Sequence, residues 1–228
     1  MSDLKICLKE NSMNDFNFFL NRLIYLGGRL SVDSETIPVI YVDLEKFVID
    51  ATLFMDIDTR VTTTFIYWLK RYGTLLSPSK IRRIIKASPF NPFVLTVFLA
   101  ILENRKERQQ NWKIIKSFCK KHKKGVELFA TSAFISNDNR CPYFQHAKII
   151  YKNTPAEDEM KFLKEKNFIL NSCPEIRYRA QGCTQVIADL RAYLNKHELK
   201  TLYKAAKETF NPRSRINQSY RFIQMMGI

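Results

Sequence analysis

The chain has little of what most catalytic centres are built from. Histidine occurs three times in 228 residues, which leaves scant material for imidazole chemistry. There is no G-x-S-x-G, no Walker lysine loop and no G-x-G-x-x-G, so nucleophile elbows and the common phosphate-cradling loops give no signal. Gly 6 and Pro 8 argue against low complexity. Long apolar runs are missing too. The longest, Phe93 to Leu102, lies between Pro92 and the polar Glu103-Asn104-Arg105-Lys106 and is too short to span a bilayer. No basic segment followed by an apolar core opens the sequence, so a secretory signal is not expected. The five cysteines are irregularly spaced, which fits a reducing compartment better than a disulfide framework. A soluble, cytoplasmic protein is expected.

Acidic residues are in short supply, and unevenly so. The formal net charge is +15. Up to Arg60 there are six basic residues against ten acidic ones, a charge of −4, which leaves +19 on the remainder. A basic body behind an acidic N-terminal part suggests a polyanionic partner for the body. Charge alone does not separate DNA, RNA and an acidic protein.

Hydrophobic spacing predicts a mainly α chain with a few short strands, an α+β fold. Residues 14–26 read as a helix ended by Gly27-Gly28. Residues 37–42 read as a short strand, and 43–54 as a helix capped by Asp43. Asp50, Asp56 and Asp58 lack the spacing and glycine of a calcium loop and read as a solvated turn. Val61 to Tyr72, a tight connection and the basic helix opened by Ser77-Pro78 read as a helical hairpin, with Lys80, Arg82, Arg83 and Lys86 on a solvated face, in preference to a second helix-turn-helix-like unit. Phe93 to Leu102 reads as a buried helix and 103–124 as a basic helix with Trp112, Ile115, Phe118 and Cys119 inward. Val126 to Phe134 reads as a strand. The expected divisions are an acidic region 1–59, a basic helical middle 60–173 with a short strand segment, and a C-terminal unit 174–228.

That last unit is the most informative. Val186, Leu190, Tyr193 and Leu194, then Leu199, Leu202 and Ala206, then Ile216, Tyr220 and Ile223 each follow the i, i+3/i+4, i+7 spacing of one helical face. The second and third sets meet at Phe210-Asn211-Pro212, where Asn211 suits a cap and Pro212 a first helical position. A helix with small residues, a tight turn and a capped basic helix form the pattern of a helix-turn-helix.

The segment PEIRYRAQG followed by IADLRAYL resembles the lead-in to the winged helix-turn-helix of bacterial transcriptional regulators, including antitoxin-like ones. The resemblance covers the C-terminal quarter, with YWLKRYGTLLSPSKIRRII a weaker match to an upstream helical region of that group. No β-hairpin wing follows the last helix in this sequence, which ends at Gly227-Ile228: either the unit is trihelical without a complete wing, or the sequence is truncated there. The resemblance implies a regulator that binds double-stranded DNA as a homodimer, because one recognition helix rarely supplies enough affinity. A protein partner such as a toxin is a further implication, and no cofactor or metal is expected. Arg213 and Arg215 would neutralise phosphates at the helix start. Ser214, Asn217, Gln218 and Arg221 would face base edges, amides suiting adenine and arginine guanine. Lys200, Lys204, Lys207, Arg177 and Arg179 would clamp the backbone.

Other constellations compete. Cys119-x2-His122 and Cys141-x4-His146 have zinc-ligand types, but the first pair sits in a lysine run that opposes a dication. KKGVELFATSAF with His146 and Lys148 resembles one half-site of the phospholipase D superfamily, whose H-x-K histidine is a nucleophile. Asn153 stands where that family has aspartate, and no second H-x-K occurs, so a homodimer would have to complete a nuclease site. A basic protein-interaction module is the remaining alternative.

Overall fold

In a computed structural model the described residues are 15–31, 41–55, 57–103, 112–119, 126–127, 149–150 and 159–227, and they are essentially all α. This corrects the α+β expectation. Strand pairing among the described residues amounts to the two-residue strands Val126–Glu127 (β1) and Ile149–Ile150 (β2), paired in parallel, and an isolated Gly28–Leu163 bridge. Of the expected strand at 37–42, residues 37–40 lie outside the described residues. Tyr41 and Val42 lead into a helix instead. The Val42 N–H donates to Glu175 Oε1 at 3.1 Å, so a side chain satisfies backbone that a ladder would otherwise have to. Beyond Glu127, the expected strand at 126–134 also lies outside the described residues.

The helices are α1 (15–25), α2 (Leu44–Phe54), α3 (Thr59–Tyr72), α4 (Pro78–Ile85), α5 (Pro92–Glu103), α6 (Glu159–Phe162), α7 (Lys166–Ser172), α8 (Pro174–Ala180), α9 (Gln185–Leu194), α10 (Leu202–Glu208) and α11 (Arg213–Met225). Their starts are chemically marked. Asp43 accepts from the Lys46 N–H at 3.0 Å, Asp58 from Arg60 and Val61, and Ser77 from Lys80 ahead of Pro78. Each satisfies backbone donors that a helix start leaves open. Asp58 is therefore a cap, while Asp50 pairs with Arg22 and Lys46. The basic helix expected over 103–124 is different: α5 ends at Glu103, and Trp112–Phe118 is a 3-10 helix. Its three-residue turn puts Trp112, Ile115 and Phe118 on one side, with Trp112 and Ile115 buried.

Two cores organise these elements. The larger draws Phe19, Leu44, Phe47, Phe65, Trp68, Phe98, Ile115, Leu163, Ile169 and Ile176 together. At its centre Phe19 stacks on Phe47 at 5.1 Å, Phe47 meets Trp68 edge-on at 5.2 Å and Phe65 approaches Phe98 at 4.9 Å. Burying each such side chain contributes about 1.5–3 kcal/mol. The residues come from both sides of the expected 59/60 division, so α1 and α2 share a core with α3–α5. The smaller core holds Leu190, Tyr193, Ala205, Ala206, Ile216 and Ile223, with Tyr41 packed against it. It joins α9, α10 and α11 into the expected trihelical unit.

Candidate nucleic-acid interface and its buried ionic anchor

In α11, Ile216, Ser219 and Ile223 are buried, which fixes which face looks outward. Arg213, Ser214, Arg215, Gln218 and Arg221 are exposed, with Ser214, Gln218 and Arg221 in one line at i, i+4, i+7. On the preceding loop and α10, Lys200, Lys204 and Lys207 are also exposed; Lys204 meets Glu208 at 3.6 Å, an i,i+4 surface pair. Three other residues singled out in the sequence stand elsewhere. Asn217 is half-buried and its Oδ1 is buried without a hydrogen-bond partner among the described residues, so it faces the packed side. Arg177 is half-buried, its guanidinium 5.0 Å from the Tyr178 ring. Arg179 is 6% exposed and committed to ion pairs, which leaves nothing for a phosphate.

The turn before α11 departs from its expected form. Pro212 is the N-cap and makes no side-chain capping bond. Asn211 is buried, and its Nδ2 donates to Asp189 Oδ2 at 2.9 Å and to the Thr209 carbonyl at 3.1 Å. Phe210 carries φ +51°, a left-handed conformation uncommon outside glycine and asparagine, and packs against the larger core rather than its own helices.

Asn211 reaches a buried ionic group that the sequence did not suggest. Arg179 donates from Nη2 to Glu45 Oε2 at 2.7 Å and from Nε to Asp189 Oδ1 at 3.2 Å. Lys80, with a side chain of 0% exposure, lies against Asp43, Glu45 and Asp189. Gln185 Nε2 adds bonds to Asp189 Oδ2 at 2.6 Å and Asn211 Oδ1 at 2.8 Å. Lys80 was expected on a solvated face; it is instead the centre of this group. Asp43, Glu45 and Asp189 stand close enough together to hold a metal ion, but the Lys80 ammonium takes the position a cation would fill. The arrangement is an ionic latch between α2, α4, α8, α9 and the turn before α11.

Three carboxylates face two cations, and the imbalance falls on Asp43. Lys80 pairs with its Oδ2, and among the described residues no other donor serves that oxygen. Burial therefore pushes its carboxyl up to about 6, with Lys80 only partly offsetting it. For Asp189 burial works in the same direction, but Arg179 and then Lys80 outweigh it and hold the group down at about 2. Glu45 is lowered on the same balance. Burial also disfavours the Lys80 ammonium, and its three carboxylates overcome this and raise its pKa.

A second hub lies nearby. Glu175, 3% exposed, accepts from the Tyr25 hydroxyl at 2.8 Å, from Lys196 Nζ at 3.0 Å and from the Val42 N–H. Both hubs tie the C-terminal unit to the body across the expected 173/174 division.

His122, Cys141, His146, Lys148 and Asn153 lie outside the described residues. Cys119 is half-buried and burial raises its thiol pKa, the reverse of what a metal-binding thiolate needs. Among the described residues no helix is long and apolar enough to cross a membrane. Comparison with protein-family models, curated proteins and solved structures finds no match to this chain.

Proposed function

We propose that this chain binds duplex DNA in a sequence-selective way, as a transcriptional regulator, with α11 in the major groove. The observation that carries the reading is the outward face of α11. Phosphate-type contacts (Arg213, Arg215) stand at its start, and base-reading types (Ser214, Gln218, Arg221) run along one line, all exposed. Polar and arginine side chains along one exposed line of a helix, with cations at its start, are what major-groove readout requires. Lys200, Lys204 and Lys207 add exposed charge on the flank. The +19 body gives the association its electrostatic drive. A second copy of the chain on an adjoining half-site would supply further affinity.

The test is competition binding to labelled duplex from the region upstream of its own gene. Arg221→Ala is expected to lower discrimination at one base position by about 1–3 kcal/mol while leaving affinity for scrambled duplex within about threefold, since base contacts carry sequence and phosphate contacts do not. Unchanged discrimination would remove α11 as the reading helix.

A further inference from the structure

Helix α4 presents a second cationic stripe beside the turn that leads into α11. Ser79, Arg82, Arg83 and Lys86 recur at i, i+3, i+4 and i+7, the spacing of a single helical face. All four are exposed. The opposite face holds the buried Ile81, Ile84, Ile85 and Lys80. With Ile114 of the 3-10 helix, the stripe lines a shallow groove of about 260 Å³, next to the exposed Lys113. Like charges at this spacing repel one another on an isolated helix. Among the described residues Arg82, Arg83 and Lys86 have no carboxylate partner to relieve them. Arg83 fixes the stripe's position: its Nη2 donates to the Phe210 carbonyl at 3.4 Å, within three residues of Arg213. The α4 stripe and the start of α11 therefore form one continuous cationic surface.

We infer that this surface is a phosphate clamp: α4 holds the phosphodiester backbone flanking the segment that α11 reads, so one chain contacts its duplex through two basic helices. The inference rests on the DNA-binding reading above. It divides the labour by chemistry, since guanidinium and ammonium groups of α4 answer to backbone charge and carry no sequence information. The latch holds the two helices in register, because Lys80 of α4 and Asn211 of the turn converge on Asp189.

The experiment measures the full chain's affinity for fluorescein-labelled duplex, its own upstream sequence and a scrambled one, across a salt series. It is repeated with Arg82→Gln/Lys86→Gln, both exposed positions outside the latch. Each lost phosphate contact should flatten the log–log salt dependence by about 0.9. The double variant is expected to flatten it on both duplexes alike and to keep the ratio between them. A wild-type chain that binds with a salt dependence the double variant leaves intact would overturn the clamp alone. A variant that loses the preference between duplexes with its salt dependence unchanged would also overturn it, by making α4 a reader. A wild-type chain that binds neither duplex would overturn the clamp together with the reading beneath it.

Discussion

Lys80 illustrates how far a single side chain can be from its expected place. Read as one of four cations on a solvated face, it has no exposure and touches three carboxylates. Removing one member of a buried ionic group leaves the others uncompensated, which costs about 3–5 kcal/mol. Lys80→Met is expected to lose that much stability in urea unfolding, followed through the fully buried Trp68. A loss below about 1 kcal/mol would mean that the carboxylates rearrange freely, contrary to a rigid latch.

Asp43 makes the same latch sensitive to pH. Its folded pKa of about 6 lies above an ordinary 3.8, so the folded state binds its proton more tightly. The resulting stabilisation is fully present below 3.8 and is lost as pH rises through about 6. Asp189, held at about 2, acts in the opposite sense: its contribution is present above 3.8 and is lost as pH falls through about 2. Asp43→Asn keeps a side chain able to cap α2 and removes the Asp43 titration. Unfolding compared at pH about 5 and about 7.5 should show wild type gaining on the variant at the lower pH. Parallel curves would place the titration elsewhere.

The helices themselves were largely legible. Periodicity and capping residues located α1, α2 and α4, and the three C-terminal amphipathic sets became α9, α10 and α11. What escaped was what the helices do to one another. Asp43 and Glu45, Lys80, and Arg179 and Asp189 come from three distant stretches of the sequence, and nothing local pairs those stretches. A signal was nonetheless present: Glu45 is spaced with Val48 and Ile49, Lys80 with Ile84, Arg179 with Ile176 and Asp189 with Val186 and Tyr193. Charges of both signs on apolar stripes indicate buried partners, because an unpaired buried charge is too costly to keep. The α+β expectation fails among the described residues because β-branched side chains such as Val42 suit the entry to a packed helix as well as a ladder. On α11, Asn217 and Gln218 are equal base-reading candidates by residue type, yet packing turns only Gln218 outward. Gln218→Ala is expected to change base preference in the competition assay and Asn217→Ala to leave it alone. The reverse pattern would mean that α11 presents a different face to DNA.

Gly27 shows the same dependence on packing within the body. It carries φ +105°, and a Cβ there would stand 2.3 Å from Ile169 Cδ1. Its carbonyl accepts from the Lys164 N–H at 2.8 Å, so the turn after α1 is held against the segment that precedes α7. Gly27→Ala is expected to destabilise the fold by about 1–3 kcal/mol through backbone strain and overpacking together, measured by thermal unfolding. A neutral effect would show that α1 ends more loosely than this contact implies.

At the scale of the whole molecule, the C-terminal trihelical unit is not an appended reader on a flexible tether. Lys196 paired with Glu175, the latch between Lys80 and Asp189, and Phe210 packed on the larger core each cross between unit and body. Such anchoring lets α4 and α11 present one surface, which is the physical basis for assigning both to the same duplex. If the chain binds duplex as proposed, loosening the latch should weaken the complex by changing the relation of the two helices.

The most direct measurement is the affinity of the unaltered chain for duplex from its own upstream region against scrambled duplex, followed by fluorescence anisotropy from low to physiological salt. Tighter binding to the upstream duplex at every salt concentration is expected. Affinity for both should fall linearly on a log–log scale, by about 0.9 per neutralised phosphate. Equal affinity for the two duplexes, or no binding even at low salt, would contradict a sequence-reading DNA-binding protein.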